Sequence, residues 1–307
     1  MRANGQGPEI STLRLFISAT VLILIWGSAF TMVGVGVRHI SPIWLVAGRL
    51  VFGALIVTLY AYAHGQRFPK LSDVRWRWYA GLGITGTVLP FFLLSVGQQT
   101  VDSGVTAIIV GGMPLITILL AHFFAGERLT IMKFIGFTVG FLGILILFLP
   151  DDFELSLIAD WKAQGLILAA AVSYAVTTVF AKNVPKTPAS IGAAMMLICG
   201  GAIAVAFALI SGVPTQIPPM IGIWMIIGLG LGSSGLANIL YLWVIEKSGP
   251  TVLARINYFT PIASVIFGVT LLHEPFTWKI LASIIIVIAG VMISRIGQNT
   301  FKKHRHQ

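Results

Sequence analysis

Charged residues are scarce in this chain of 307 residues. Asp, Glu, Lys and Arg make up 10% of it, whereas a soluble globular domain carries roughly 25%. This chain has too few polar groups to cover the surface of a soluble fold. It is not a disordered chain either, because a disordered chain would be richer in charge. Hydrophobic residues instead make up 57% of the sequence. The composition therefore predicts a protein whose main solvent is lipid.

Cysteine is almost absent as well. The single cysteine, Cys199, excludes an internal disulfide, and Cys and His form no cluster with the spacing of a metal site. We therefore expect no metal, no cofactor and no catalytic residue. The first apolar run, from 15 to 37, is longer than the core of a signal peptide and lacks a small-residue cleavage site.

Apolar segments recur along the whole chain, each close to the roughly 20 residues that a helix needs to cross a bilayer. They cover residues 15–35, 43–63, 78–99, 104–124, 131–149, 164–183, 189–211, 221–244, 251–272 and 278–296. The connections are mostly short and leave no room for a large soluble domain. The sequence thus predicts an all-α integral membrane protein with ten transmembrane helices.

Lys and Arg lie mostly on one side of this predicted arrangement. With the N-terminus in the cytoplasm, 15 of the 20 basic residues fall in cytoplasmic segments and 3 in outer ones, while Arg49 and Arg255 fall inside helices. Cytoplasmic loops of membrane proteins carry an excess of positive charge. The distribution predicts that both termini are cytoplasmic and that the acidic segment 151–162 lies outside.

An internal repeat relates the two halves of the chain at an offset of 147 residues. Pro114 aligns with Pro261, and Glu127 aligns with Glu274, each three residues before a threonine. Because each half would contain five helices, an odd number, the halves would enter the membrane in opposite senses. Inverted repeats of this kind are typical of transporters that alternate access about a site near the bilayer midplane.

Four segments of the sequence carry a resemblance to a known family. WGSAF at 26–30, AGRLVFG at 47–53, PLITILLAHFFAGERLT at 114–130 and PIASVIFGVTLLHEPFT at 261–277 resemble the EamA repeats of the drug/metabolite transporter superfamily. The resemblance implies two inverted five-helix EamA repeats. Helices 1–4 and 6–9 would surround a central cavity, and helices 5 and 10 would lie at the periphery.

The resemblance also implies a domain organisation and a function. The first repeat would span 15–149, the second 164–296, and a basic cytoplasmic tail 297–307. We expect a transporter of the bacterial inner membrane, monomeric or homodimeric, that exports amino acids or related metabolites by alternating access. Nucleobases, vitamins such as riboflavin and aromatic toxicants are alternative substrates. The expected partners are a small-molecule substrate and the lipid bilayer, with no nucleic acid.

Glycine patterns in the helices resemble a dinucleotide-binding motif. The pattern GxGxxG occurs at 81–86 and again at 230–235, but both copies lie in predicted membrane helices, without the strand that a dinucleotide fold requires. Small residues at helical spacing instead allow membrane helices to approach closely. Gly136, Gly140 and Gly143 would form a similar face on helix 5.

Residues 232–235 read GxSG, the nucleophile motif of rhomboid-type intramembrane proteases. Such an enzyme needs a general base near Ser234, and the candidates His122 and His273 are predicted near helix ends. An intramembrane serine protease is therefore the alternative from a different functional class. The repeat favours a transporter, so we do not expect an enzyme.

Arg49 is the charged residue predicted deepest in the membrane, about 10 Å from the nearer surface at about 1.5 Å per residue. A buried charge in a bilayer is costly and indicates a functional site. Its guanidinium would hold a substrate carboxylate or phosphate, or it would bond helix-end carbonyls or a lipid as a structural residue.

Asp and Glu are absent from the middle of every predicted helix, which disfavours cation exchange on a membrane carboxylate. Glu127 and Glu274 are expected to cap or tether helices 5 and 10.

Polar and aromatic side chains share faces on several predicted helices. In lipid, such faces turn towards a wet cavity or towards partner helices in a closed bundle. The predicted substrate pathway comprises Trp26, Phe30, Arg49, Tyr174, Thr178, Ser234, Asn238, Tyr241 and Asn257. Pro114 and Pro261, each inside a helix, would kink their helices and act as paired gates.

Overall fold

The computed structural model describes residues 12–127, 129–147 and 158–304, and these residues form helices and short connections without a β-strand. Arg128, the acidic cluster at 151–154 and the last residues of the predicted basic tail, 305–307, lie outside the described residues. The all-helical class that the composition predicts is confirmed for the part of the chain that is described.

The helices follow one another with few residues between them. The first half contains α1 (Thr12–Gly36), α2 (Pro42–Ala63), α3 (Arg75–Gly83), α4 (Leu89–Gly97), α5 (Ser103–Gly111), α6 (Met113–Ala125) and α7 (Ile131–Leu147). The second half contains α8 (Ile158–Phe180), α9 (Ala189–Ile210), α10 (Met220–Ile227), α11 (Ala237–Leu272) and α12 (Trp278–His304). Backbone angles at Gly249, with φ of 78°, interrupt α11.

Seven helical segments of the described residues are long and apolar enough to cross a membrane. They are Leu13–Gly36, Pro42–Ala63, Arg75–Gly97, Ser103–Ala125, Trp161–Asn183, Ala189–Ile210 and Met220–Gly249. Three further apolar helices are shorter, namely Ile131–Leu147, Ile256–Leu272 and Trp278–Ser294. Every predicted apolar segment thus contains a helix, and the count of ten membrane crossings stays a prediction.

Large apolar side chains cover much of the outer surface. Phe123 is 74% exposed, Ile131 77% and Phe134 56%. A soluble monomer rarely exposes a wide apolar patch, whereas a bilayer solvates such side chains. The surface therefore supports the conclusion from composition that this protein lies in a membrane.

Glycines bring α7 and α12 into backbone contact. A Cβ atom at Gly136 would lie 2.5 Å from the carbonyl oxygen of Gly290, a separation that real Cβ atoms do not reach. Gly143 is similarly close to Val287, with its Cβ position 3.0 Å from the backbone nitrogen. The predicted small-residue face on helix 5 is thus the face that packs against α12.

Two π-helical turns interrupt the bundle at positions related by the internal repeat. One covers Ile84–Val88, between α3 and α4, and the other Gly228–Leu236, between α10 and α11. Both overlap the GxGxxG patterns. A Cβ at Gly83 would lie 3.0 Å from the backbone nitrogen of Gly200 in α9. Close helix packing therefore explains four of the six glycines, namely Gly83, Gly86, Gly230 and Gly235, whereas Gly81 and Gly232 have nothing within 4 Å of their Cβ positions. The wide π turns add a local change of helix geometry.

The two glutamates of the repeat lie at opposite ends of the bundle. Ser103–Ala125 forms one membrane-length segment, so its ends are about 33 Å apart at about 1.5 Å per residue. Glu274 contacts Ser103 at one end, and Glu127 follows Ala125 at the other. These ends are called the Glu274 end and the Glu127 end below.

The contacts of these glutamates partly correct the sequence-based expectation. Glu127 forms ion pairs with Lys182, at 2.6 Å, and with Lys133 of α7, at 3.5 Å, so it does tether helix 5. Glu274 instead accepts hydrogen bonds at the N-terminus of α5, not of α12. The unpaired N–H groups of a helix N-terminus attract a carboxylate, and tertiary packing decides which helix supplies them.

Candidate substrate cavity

A cavity of about 360 Å³ lies inside the bundle. Its wall is formed by α1, α2, α4, α5, α6, α8, α9, α11 and both π turns. Of the predicted pathway residues, those on the wall are Trp26, Phe30, Arg49, Tyr174, Ser234, Asn238 and Asn257, and Pro114 and Pro261 join them. Residues from both halves of the chain therefore meet around one space, which is the arrangement that a two-repeat transporter needs.

Arg49 of α2 is fixed against the second half of the chain. Its Nε donates a hydrogen bond to the Ser234 hydroxyl at 3.2 Å, and its Nη2 donates to the Ser233 hydroxyl at 3.0 Å. The guanidinium carbon lies 3.7 Å from the centroid of the Phe91 ring. Gly53 permits this contact, because a Cβ there would approach the Ser234 Cβ to 2.6 Å.

The charge of Arg49 has no carboxylate partner among the described residues. The side chain is 6% exposed, and its hydrogen-bond partners are neutral hydroxyls. A buried charge is costly unless it is paired, and the π face of Phe91 compensates only in part. The cavity therefore presents a fixed positive charge that an anionic group can neutralise. The hydrogen bonds of Arg49 go to serine hydroxyls and not to helix-end carbonyls, and its role as a substrate ligand or a structural residue stays a prediction.

Aromatic side chains form a second part of the cavity wall. Trp26, Phe30, Phe91 and Tyr174 all line it, and the rings of Phe91 and Tyr174 meet edge to face with centroids 6.3 Å apart. Aromatic walls bind flat or apolar groups with a large contact area. The cavity thus combines one cationic group with an aromatic surface.

Neutral polar groups complete the wall. Asn238 donates from Nδ2 to the Ser234 carbonyl at 2.7 Å, and Gln98 donates from Nε2 to the Phe30 carbonyl at 3.1 Å. Among the described residues, the Gln98 Oε1 atom and the Thr260 hydroxyl are buried without a hydrogen-bond partner. These two oxygens are acceptors of the kind that an ammonium or amide group of a ligand would satisfy.

Two predicted pathway residues do not line the cavity. Thr178 is exposed, and its hydroxyl donates to the Tyr174 carbonyl at 2.9 Å, one turn away. Tyr241 lies against Trp26, with ring centroids 6.0 Å apart. Helical spacing placed both on the correct helices, but it does not define how far along a helix the cavity extends.

The paired prolines have different surroundings. Pro114 stands at the start of α6, directly after the break at Gly112 that separates α5 from α6. Pro261 lies within α11, whose described backbone departs from helical angles at Gly249 and not at the proline. A Cβ at Gly111 would lie 2.9 Å from the Pro261 ring. The helix break thus occurs in one repeat only, and the gating role stays a prediction for both.

Sequence reasoning missed several residues of the wall. Phe91, Thr87, Gln98 and Ser233 line the cavity and were not among the predicted set. Gln98 carried a usable signal, since it is a polar residue next to an apolar run. Phe91 carried none, because phenylalanine is as common on lipid-facing surfaces as inside.

The serine of the GxSG motif is engaged by Arg49. Among the hydrogen bonds of the described residues, the Ser234 hydroxyl contacts Arg49 Nε, and His122 contacts the Glu127 carbonyl at the far end of its helix. A serine nucleophile needs a base within hydrogen-bond reach. The geometry therefore gives no support to the protease alternative.

A second cavity, of about 530 Å³, lies at the surface between α2 and the segment 213–218. Its wall includes Trp44, Val51, Val213 and Ile217 and has no charged residue. Val213 is 66% exposed and Ile217 89%, so this space is the type that a lipid chain fills. The central cavity, in contrast, is lined by Arg49 and by several hydrogen-bonding side chains.

The model of the EamA-like transporter family matches residues 14–149 and 161–296. Residues 14–149 include all of α1 to α7 except the first two residues of α1, and residues 161–296 include most of α8 to α12.

Two bacterial relatives of similar length are named as transporters. The uncharacterized transporter YoaV of Bacillus subtilis is 25% identical, with 96% of this chain and 99% of that protein covered. The uncharacterized inner membrane transporter YedA of Escherichia coli is 22% identical, with 94% and 93% covered. A WAT1-related chloroplastic protein of Arabidopsis thaliana is 25% identical, with 85% and 65% covered. A solved crystal structure, 18% identical, matches 92% of this chain and 98% of its own with a TM-score of 0.65, which shows a shared fold.

Proposed function

Because this chain belongs to the EamA-like transporter family, and is therefore a multi-pass membrane transporter, we propose that it exports small metabolites with a carboxylate group. Amino acids and related zwitterions are the leading class. The central cavity is the proposed binding site, and Arg49 is the proposed carboxylate ligand. Trp26, Phe30, Tyr174 and Asn257 would contact the rest of the substrate.

One observation carries this proposal, namely the buried guanidinium on the cavity wall without a carboxylate partner among the described residues. Ser233 and Ser234 fix its orientation through Nη2 and Nε, and Phe91 covers one face. Arg49 Nη1 donates to no described residue, so it is available to a substrate oxygen. A guanidinium held in this way is preorganised, which reduces the entropy lost on binding.

The two repeats supply the proposed mechanism. We propose that the repeats, 15–149 and 164–296, move as inverted counterparts and open the cavity to one side of the membrane at a time. The 15-to-3 charge distribution supports a cytoplasmic Glu127 end and cytoplasmic termini, and the relative YedA supports the bacterial inner membrane. The working unit is a monomer or a homodimer of such chains.

The aromatic wall supports a second class of substrate. Phe91 and Tyr174 form an edge-to-face pair beside Arg49, and a flat ring system would stack there. Nucleobases, vitamins such as riboflavin and aromatic toxicants fit that surface. A substrate with both a ring and a carboxylate satisfies both parts of the wall.

Transport by the purified protein tests the proposal. Proteoliposomes would be assayed with a radiolabelled panel of amino acids, nucleobases and vitamins, with protein-free liposomes as the control. We expect counterflow of at least one carboxylate-bearing compound, inhibited by the unlabelled acid and much less by its carboxyl amide. Transport of neutral aromatic compounds alone would contradict the carboxylate assignment and favour the second class.

A further inference from the structure

The loops around Glu127 and Glu274 have the same backbone geometry. The residue before each glutamate has a left-handed conformation, with φ of 66° at Gly126 and 55° at His273. The Glu127 N–H donates to the Ala121 carbonyl, and the Glu274 N–H donates to the Gly268 carbonyl, both at 3.1 Å. Ala121 and Gly268 are again 147 positions apart. The two loops are therefore equivalent parts of the inverted repeat.

The carboxylates of these equivalent loops have different partners. Glu274 accepts from the Ser103 N–H at 2.8 Å, the Ser103 hydroxyl at 3.0 Å and the Gly104 N–H at 3.2 Å. Glu127 instead pairs with Lys182 and Lys133. The two loops therefore match, whereas their carboxylates are bound differently at the two ends of the bundle.

A second pair of equivalent residues shows the same asymmetry. Ser264, on α11, donates from its hydroxyl to the Ser103 carbonyl at 3.3 Å. Its counterpart, Thr117, donates back to the Met113 carbonyl on its own helix at 3.0 Å. At the Glu274 end, Ser264 of α11 and Glu274, which follows α11, therefore both bind the first turn of α5. At the Glu127 end, the equivalent side chains bind elsewhere.

From this asymmetry we propose that Glu127 and Glu274 are alternating gate latches, each capping the N-terminus of the other repeat's central helix in one of two states. In the state described, Glu274 caps α5 and closes the Glu274 end. In the opposite state, Glu274 releases Ser103 and Gly104, and Glu127 leaves Lys182 to cap the helix that follows Gly249. Lys182 thus competes with that helix N-terminus for Glu127.

The sequence after Gly249 provides part of this second cap. Positions 250 and 251 are the counterparts of Ser103 and Gly104, and they hold Pro250 and Thr251. Proline is favoured in the first turn of a helix, but Pro250 has neither the N–H nor the hydroxyl that Ser103 donates to Glu274. Thr251 retains the N–H that corresponds to the one at Gly104. The positive φ of Gly249 ends the preceding helix, so that a new N-terminus begins at this point.

The inference deepens the proposed alternating access of this transporter, and crosslinking tests it without a substrate. The reporter of the closed Glu274 end is Gly104→Cys with Val265→Cys, because a Cβ at Gly104 lies 3.6 Å from the Val265 Cβ, within disulfide range. The equivalent reporter of the Glu127 end is Ile118→Cys with Thr251→Cys. Both pairs are made in a Cys199→Ser background in lipid vesicles, and disulfide formation is measured by protection from a maleimide.

Three variants separate the two latches. Glu274→Ala should reduce crosslinking of the 104/265 pair about fivefold, as expected for a lost helix cap, and increase that of the 118/251 pair. Lys182→Ala should increase crosslinking of the 118/251 pair, and adding Glu127→Ala should remove the increase. Glu246→Gln is the matched control, since it alters an exposed carboxylate paired with its neighbour Lys247.

Opposite changes in the crosslinking of the 104/265 pair and the 118/251 pair would support the latches. The proposal would be overturned if Lys182→Ala left the 118/251 pair at the level of the Glu246→Gln control, or if Glu127→Ala did not reverse its effect. Because crosslinking requires no transported compound, failure of the carboxylate assay alone would leave the latches supported. If the protein transports normally but none of the variants changes the crosslinking of either cysteine pair, the latches are rejected and the proposed function stands.

Discussion

The guanidinium carbon of Arg49 lies 3.7 Å from the centre of the Phe91 ring. This contact joins α2 to α4, while the hydrogen bonds of Arg49 join α2 to the π turn of the second repeat. A single side chain therefore connects both halves of the chain at the cavity wall. The hydroxyls and the ring hold the guanidinium plane, and a substrate anion would meet a group that is already oriented.

Replacement of Arg49 should weaken binding of a carboxylate. Arg49→Ala removes a charged hydrogen bond, with an expected loss of about 2 kcal/mol or more, which is roughly thirtyfold in affinity. Arg49→Lys keeps the charge without the planar fork, so its loss should be smaller. The measurement is competition by a free acid and by its carboxyl amide in proteoliposomes.

The stability of these variants is the necessary control. Thermal unfolding in detergent would be measured for the wild type, Arg49→Ala, Arg49→Lys and Ser233→Ala, which removes one partner of Nη2. An unchanged ratio of acid to amide affinity in a well-folded Arg49→Ala protein would contradict the carboxylate role. Loss of folded protein in that variant, with normal binding in Arg49→Lys, would make Arg49 structural.

Membrane orientation should follow the distribution of basic residues. In a Cys199→Ser background, Asp152→Cys should react with a membrane-impermeant thiol reagent on intact cells, and Lys303→Cys should react only after the cells are opened. The reason is the excess of Lys and Arg in segments assigned to the cytoplasm. Labelling of both positions on intact cells, or of position 303 alone, would contradict ten crossings with cytoplasmic termini.

The two prolines should both slow transport when replaced by alanine. Pro114→Ala allows α6 to extend backwards across the break at Gly112, and Pro261→Ala restores a backbone N–H donor within α11. Each change should reduce the transport rate while the protein stays folded and inserted, as measured by counterflow and by size-exclusion chromatography. Full activity in both variants would separate the prolines from gating, and loss of folded protein would assign them to packing.

Helix packing at the periphery gives a direct test of the structure. Gly136→Ala places a methyl group 2.5 Å from the Gly290 carbonyl oxygen, so α7 and α12 must separate, at an expected cost of about 1–3 kcal/mol. Gly165→Ala is the matched control, since nothing lies within 4 Å of its Cβ position. That change should be neutral or stabilising by about 0.5–1 kcal/mol. Equal melting temperatures for the two variants would contradict the described contact.

The ion pair at the Glu127 end should make stability depend on pH. The hydrogen bond from Lys182 lowers the pKa of Glu127 below its ordinary value of 4.5. A lowered pKa means that the pair stabilises the fold above that ordinary value and is lost as the pH falls through the lowered one.

The comparison of wild type with Lys182→Ala isolates this effect. Its size should be under about 1 kcal/mol, because both side chains are partly exposed. The difference in melting temperature should be present near pH 7 and should disappear once the pH lies well below the lowered pKa of Glu127. A difference that persists at the lower pH would assign the role of Lys182 to packing.

Local rules explain which features were predictable. The apolar segments predicted the helices, because the length of an apolar run can be read directly from consecutive residues. The repeated prolines and glutamates predicted two related halves, and the family match confirms the EamA assignment. Gly136 was predicted to lie at a helix contact, because small side chains at helical spacing allow two helices to approach closely, whichever helix the partner is.

Other features depended on which helices meet. The sequence by itself determined that the chain is helical, that lipid is its solvent and that it belongs to a family of transporters, since composition, run length and motifs carry that information. Only the tertiary structure decided that Arg49 binds Ser233 and Ser234, 184 and 185 residues away, and that Glu274 caps α5. Such contacts depend on helix crossings, and a helix presents similar apolar faces to many possible neighbours. Glu127 and Glu274 show the limit most clearly, because two equivalent loops bind different partners in one arrangement of the same helices.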